Sequence, residues 1–234
     1  MTRQQQLNLG LIPARNLMEC LSVDFDQLLS SALPQLELPS WPKSITRKIA
    51  LAASAVHQQY GSAGTSLLAE SPSDTLRGIA ATATQLPGGQ SLSLRLASIR
   101  PFADDSHFGV REWAWMAIRP HLAAELDSAI QLLTPWTQNE SANLRRFAVE
   151  SLRPRGVWCS HIESLKAEPR RALCLLDPLR ADTEKYVQDS VANWLNDASK
   201  SQPDWVRSLC ARWISECPVP PTIRIVKRAL RNLS

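Results

Sequence analysis

The chain has 234 residues, 44% hydrophobic and 21% charged, a balance that excludes disorder, a collagen-like fibre and a small disulfide scaffold and suits one globular domain. Its net charge is +4 with a pI near 8.9, which permits a polyanionic partner without requiring one; residues 1–99 hold 7 Lys/Arg and 6 Asp/Glu, against 19 and 16 in residues 100–234. There are only 8 Gly where average usage gives about 16, alongside 8 Trp and 20 Arg to 6 Lys, and neither G-x-G-x-x-G nor G-x-x-x-x-G-K-[ST] occurs, which argues against a phosphate-loop nucleotide fold.

In chain order, residues 1–40 read as an N-terminal helical cap on a single domain over 1–234. The N-terminus, with Gln4-Gln5-Gln6, lacks the basic-then-apolar order of a secretory signal. Ile45-Thr46-Arg47-Lys48 opens an early copy of a motif that recurs downstream. Ile49–Ala69 carries no charge, but His57, Gln58, Gln59, Tyr60, Gly61, Ser62 and Gly64 interrupt it, so no membrane span is expected. The same motif, an aliphatic residue followed by Arg or a polar pair on a short amphipathic helix, returns at Thr75-Leu76-Arg77-Gly78, Gly109-Val110-Arg111-Glu112, Asn143-Leu144-Arg145-Arg146 and Tyr186-Val187-Gln188-Asp189, at steps of 34, 34 and 43 residues. A weaker copy follows at Thr222-Ile223-Arg224. Such periods point to paired-helix repeats.

Within the copies, Val110, Trp113, Ala114 and Ala117 define one inward face, and Leu144, Phe147, Ala148 and Leu152 another. Pro87–Ser91 reads as a connection between helices. Pro120, Pro154, Pro203 and Pro218 are expected to punctuate helix ends, and Asp204 to cap a helix over Asp204–Ser215. The fold class is therefore all-α, a HEAT-like repeat superhelix (α-solenoid) with a concave face. Five cysteines, Cys20, Cys159, Cys174, Cys210 and Cys217, form an odd set without C-x-x-C, consistent with reduced thiols in a cytoplasmic protein. Cys159-Ser160-His161 lacks a second pair at zinc spacing, so no metal is expected.

Three carboxylates recur at related places in successive repeats: Glu112, Glu150 and Asp197. Each also has a structural reading, since Arg146 and Glu150 can pair at i, i+4, Glu112 can pair with an arginine, and Asp197 can cap a helix. Trp158 lies in Arg153-Pro154-Arg155-Gly156-Val157-Trp158, where proline and glycine favour a loop, and an indole between guanidinium groups suits a nucleic-acid surface.

Arg145-Arg146-Phe147-Ala148-Val149-Glu150-Ser151-Leu152-Arg153-Pro154-Arg155-Gly156-Val157-Trp158 resembles the R-R-x-A-x-E-x-x-R-P-R-x-x-W block of the AlkC branch of HEAT-like-repeat DNA glycosylases. Ser190-Val191-Ala192-Asn193-Trp194-Leu195-Asn196-Asp197-Ala198-Ser199-Lys200 resembles its S-V-A-N-x-L-N-D-x-x-K block. The likeness spans about 100–220. It implies excision of positively charged N-alkylated bases, such as 3-methyladenine or 3-methylcytosine, from double-stranded DNA without metal or organic cofactor. Carried onto this sequence, it implies catalytic roles for Glu150 and Asp197, with Glu112 a third acid, a lesion-contacting Trp158, and DNA-backbone contacts from Arg145, Arg146, Arg153 and Arg155. It further implies a cytoplasmic location, at the nucleoid in a bacterium. The sequence departs from the branch at Gln188-Asp189, where basic residues are usual, at Trp194, where His is frequent, and at Gly156-Val157. A DNA-structure-binding relative without excision therefore stays open, as does a HEAT-type protein-interaction scaffold whose protein partner is unknown.

Overall fold

Side-chain caps start many of the helices. In the computed structural model, which describes residues 1–233, Thr2 forms a capping box with Gln5, and Asn16, Asp24, Ser73, Ser91 and Ser141 each accept from a backbone N–H of the first turn that follows. The chain divides into two compact units, Met1–Ile118 and Arg119–Ser234. Among the described residues there is no strand. The fold is all-α and of the HEAT-like repeat class.

The first unit contains α1 (Arg3–Asn8), α2 (Leu17–Ser22), α3 (Phe25–Ala32), α4 (Ile45–Ala69), α5 (Asp74–Ala83) and α6 (Leu92–Ala103). Helix α7 (Phe108–Ala124) begins in it and continues into the second unit. Leu7, Phe25, Leu28 and Leu29 are buried among the short helices before residue 40. Helix α4 packs on α5 and is interrupted at Gly61, whose φ of 57° and ψ of −141° lie outside the helical region. No helix of the described residues is long and apolar enough to cross a membrane. Gly78 on α5 lets Trp113 of α7 approach closely: a Cβ there would come within 2.4 Å of the indole Cδ1. Trp113 is thus half-buried against a glycine, and the fully inward face of α7 in this unit is Val110, Ala114, Trp115 and Ile118. The expected face is rotated, because Trp115 takes the deep position and Ala117 is only half-buried.

The second unit contains α8 (Leu126–Leu133), α9 (Ala142–Glu150), α10 (Glu163–Ala167), α11 (Leu173–Leu176), α12 (Lys185–Ser199), α13 (Pro203–Glu216) and α14 (Pro220–Ala229), with short 3₁₀ turns between them. Helix α12 packs against α9 on one side and α14 on another. Trp194 of α12 and Trp213 of α13 are the largest fully buried side chains of this unit. Two punctuation expectations are corrected. Pro120 lies inside α7 and removes one helical N–H donor without ending the helix. The helix expected at Asp204 starts at Pro203, which needs no N–H at the first helical position, and Asp204 sits in the first turn where its charge complements the helix dipole.

The repeat motif has a common physical basis. In the first unit Arg77 donates to the carbonyls of Ser71 and Pro72, six and five residues back, and Arg111 does the same to Asp105 and Ser106. In the second, Arg145 donates to Asn139 and Glu140, and Gln188 to Asp182 and Thr183, with the same offsets. Each side chain folds back over its helix start and satisfies carbonyls of the preceding loop that would otherwise go unpaired. The same arginines reach forward as well: Arg77 forks onto Asp105 at 2.8 and 3.1 Å, and Arg145 onto Asp182 at 2.6 and 3.1 Å. Gln188 keeps the lock by its amide and accepts from Arg224 of the next copy at 3.1 Å. The polar residue of the sequence motif is therefore a device for fixing loop to helix.

Candidate active site of the second unit

The end of α9, the irregular segment 151–162 and one face of α12 bring four site residues together. Glu150 ends α9, where it is buried beside Arg146 one turn earlier. Arg153 follows in the turn and reaches both acids: Nη1 donates to Glu150 Oε1 at 2.8 Å, and Nε and Nη2 lie 2.9 and 2.7 Å from Asp197 Oδ2. Asp197 stands near the end of α12, with Lys200 Nζ 3.4 Å from its Oδ1. Ser190, two turns earlier on α12, donates its hydroxyl to Glu150 Oε2. The packing of α12 on α9 makes these residues meet, although Glu150 and Ser190 are 40 positions apart in sequence and Arg153 and Asp197 are 44.

The electrostatics follow from this arrangement. Burial pushes the Glu150 carboxyl upward, but the charges of Arg146 and Arg153 and the hydrogen bonds from Ser190 and Arg153 outweigh it, so its pKa falls below the ordinary carboxylate value. Burial acts against the Arg153 charge, whereas Glu150 and Asp197 favour it more strongly, leaving its pKa raised. One guanidinium is thus shared by two acid side chains at close quarters. Both oxygens of Glu150 are occupied, by Arg153 and by Ser190. Asp197 differs: its Oδ2 is held by Arg153, while Oδ1 meets only the longer contact from half-exposed Lys200.

Segment 151–162 is fastened from beneath by Arg119. This nearly buried guanidinium donates to the carbonyls of Ser151 at 2.8 Å, Arg153 at 2.6 Å and Ser160 at 3.2 and 3.3 Å. Trp194, which stands where the AlkC branch often has His, is fully buried and donates its indole N–H to the Leu152 carbonyl at 2.9 Å. Gly156 allows Cys159 to fold inward, since a Cβ at Gly156 would come within 2.3 Å of Cys159 Sγ. Between these fixed points Val157 and Trp158 project, 58% and 57% exposed. Trp158 has φ of +60°, the one non-glycine residue with positive φ among those described. A bulky aromatic held in that sparsely populated region costs on the order of 1–3 kcal/mol, and its indole is left available to a partner. Burial pushes the neighbouring Cys159 thiol up, while the charges of Arg119, Arg153, Glu150 and Asp197 all act on it, so the loop next to Trp158 lies within the field of the acid cluster.

The remaining residues expected at the site have other partners. Glu112 belongs to the first unit, where its Oε2 accepts from the Trp115 indole N–H at 2.7 Å. Arg145 is committed to the repeat lock. Arg146 lies with its guanidinium 4.5 Å from the Tyr186 ring centroid, a cation–π geometry, as well as near Glu150. Arg155 donates to Ser201 Oγ at 2.7 Å. A phosphate contact by Arg145, Arg146 or Arg153 would require exchange of these internal partners. Arg119, Ser190 and Lys200 are not among the expected site residues: a lone Arg before a proline carries no spacing signal, whereas Ser190 and Lys200 are fixed positions of the S-V-A-N-x-L-N-D-x-x-K block, a signal that could have found them. Among the described residues no three His, Cys, Asp or Glu side chains gather as a metal site would need.

The helical repeats and the Arg-bridged acid pair define a class. Over residues 109–222 the chain matches the family model described as DNA alkylation repair enzyme. It is similar to the Pseudomonas fluorescens alkylpurine DNA glycosylase AlkC, solved bound to DNA containing an abasic site analog, at 27% identity and a TM-score of 0.67, covering 81% of this chain and 53% of that one. Uncharacterized protein YhaZ of Bacillus subtilis (strain 168) is 35% identical over 136 residues, 58% of this chain and 37% of its own length. AlkD2 from Streptococcus mutans shares the fold at 20% identity and a TM-score of 0.67, covering 89% of this chain and 98% of that one. The chain thus spans about half of the AlkC structure and under half of YhaZ.

Proposed function

We propose that this chain acts in the repair of alkylated DNA as a monofunctional glycosylase, hydrolysing the N-glycosidic bond of a positively charged N-alkylated base such as 3-methyladenine or 3-methylcytosine. The observation that carries the reading is Arg153, which bridges Glu150 and Asp197. Breaking a glycosidic bond builds positive charge on the sugar, and a fixed carboxylate stabilises that charge most when it need not reorganise. A cationic base departs as a neutral one and needs no general acid, so two ionised acids suffice.

The two carboxylates differ in task. Asp197 is the catalytic residue: its Oδ1 is turned toward the exposed Lys200 side, where it can face the sugar and accept a proton from the attacking water. Glu150, with both oxygens engaged, is a positioning residue that fixes Arg153 and hence the Asp197 rotamer. Trp158 supplies the flat surface against which an extruded base or neighbouring sugar packs, and double-stranded DNA is the partner. The AlkC likeness supports both the substrate class and the DNA. Incubating methylated duplex DNA with the chain and measuring free bases tests this; release of 3-methyladenine or 3-methylcytosine is expected.

A second reading is a DNA-binding relative without excision, favoured by the completeness of the Glu150 hydrogen bonding, which a structural ion cluster would share. Salt-dependent DNA binding with no base released from any alkylated substrate would select it.

A further inference from the structure

With Arg145, Arg146 and Arg153 engaged internally, the packed pair α12 and α14 offers a different set of cations. On α12, Asp189, Asn193 and Asp197 follow one another at four-residue steps along one face, and Lys200 caps the helix end. Across from them stand Arg224 and Arg228, one turn apart on α14, and Arg231 just beyond its end. Arg224 Nη2 and Arg228 Nε share Asp189 Oδ1 at 2.7 and 3.0 Å. Arg231 Nη2 donates to the neutral amide of Asn193 at 3.0 Å, and Lys200 approaches Asp197.

Charge does not balance along this row. Arg224, Arg228, Arg231 and Lys200, with exposed Lys227 beside them, face only two carboxylates, and Asp197 already shares its charge with Arg153. Arg231 is exposed and has no carboxylate among its hydrogen-bond partners. Partial burial and the neighbouring Arg228 charge push its pKa down, while Asp197 pulls the other way and Arg153 adds to the repulsion, so the row is continuous with the acid cluster. Uncompensated cations in a line beside a site for a nucleic-acid substrate are what a phosphodiester strand neutralises.

We propose that Lys200, Lys227 and Arg231 form the DNA phosphate-contacting row of this chain, which holds the backbone next to Asp197. The assignment rests on the reading of DNA as the partner. Lys200 and Arg231 flank the strand nearest the reacting sugar, while Arg224 and Arg228 stay on Asp189 and keep α14 against α12.

The test is the salt dependence of binding to a short duplex carrying an abasic-site analogue. Log affinity against log salt should be linear for the unaltered chain, and Lys200→Gln and Arg231→Gln should each reduce the slope by about one, with the double variant losing about two and melting curves unchanged. Lys227→Gln should act similarly, and Arg207→Gln, on exposed α13 surface, should leave the slope alone. A normal slope in the unaltered chain that none of the row variants changes would overturn the assignment while leaving DNA as partner. No salt-dependent binding in the unaltered chain would overturn both. A reduced slope in the row variants of a chain that excises no base would uphold the row and remove only the glycosylase reading.

Discussion

Both units of the molecule bury carboxylates among their helices, Asp74 in the first and Glu150 and Asp197 in the second, and use them differently. In the first, Asp74 at the start of α5 accepts from the Ala14 backbone N–H at 2.8 Å and from the Cys20 thiol at 3.4 Å, with His107 at 3.8 Å. These partners tie the segment before α2 to the helix pair, and Asp74 has no arginine in that set. In the second, Glu150 and Asp197 meet across Arg153, with Lys200 and a projecting tryptophan loop at hand. Burial of an acid is therefore no mark of chemistry in this fold. What separates the second unit is a shared guanidinium that bridges two acids and leaves one oxygen of Asp197 lightly held.

Breaking that bridge should have the largest effect. Arg153→Met leaves two buried carboxylates without their common partner, and loss of about 3–5 kcal/mol is expected from denaturant unfolding of the second unit; an unchanged midpoint would show the bridge to be incidental. Gly78→Ala probes the first unit, where the added methyl meets the Trp113 ring, and should cost about 1–3 kcal/mol by the same measurement. Trp158→Ala should alter stability by less than about 0.5 kcal/mol because the side chain is exposed, yet weaken binding to abasic-site DNA by about 1–3 kcal/mol if its stacking is used. The smallest effect concerns pH. Because the Glu150 pKa is lowered on folding, its contribution is present above the unfolded carboxyl value of about 4.3 and is lost as pH falls through the lower folded value. Acid unfolding below about pH 4 should be less steep in Glu150→Gln, and an identical profile would contradict the assigned shift.

The fold was legible because the repeat residue does a repeated job. Leu76-Arg77, Val110-Arg111, Leu144-Arg145 and Val187-Gln188 stand in register in the sequence since each polar side chain folds back onto the same two carbonyls of its loop. That also explains the departure at Gln188, whose amide donates as the arginines do. The acid pair was visible through the two motif blocks, whereas the partners of the arginines were not: charge and spacing cannot tell a guanidinium that faces solvent from one stacked on Tyr186 or forked onto Asp182. Arg119 lay beyond reach because its three carbonyl partners are 32 to 41 residues away. Trp113, expected on the inward face, is half-buried against Gly78, while Trp115 is buried.

The central claim is that Asp197 is the reacting carboxylate, and Asp197→Asn tests it most directly, since the amide keeps the shape and removes the charge. Single-turnover release of 3-methyladenine or 3-methylcytosine from methylated duplex should fall by about 10²–10³, equivalent to about 2.7–4 kcal/mol in the barrier, while affinity for abasic-site DNA persists. Excision at the unaltered rate by a folded Asp197→Asn chain would contradict the account.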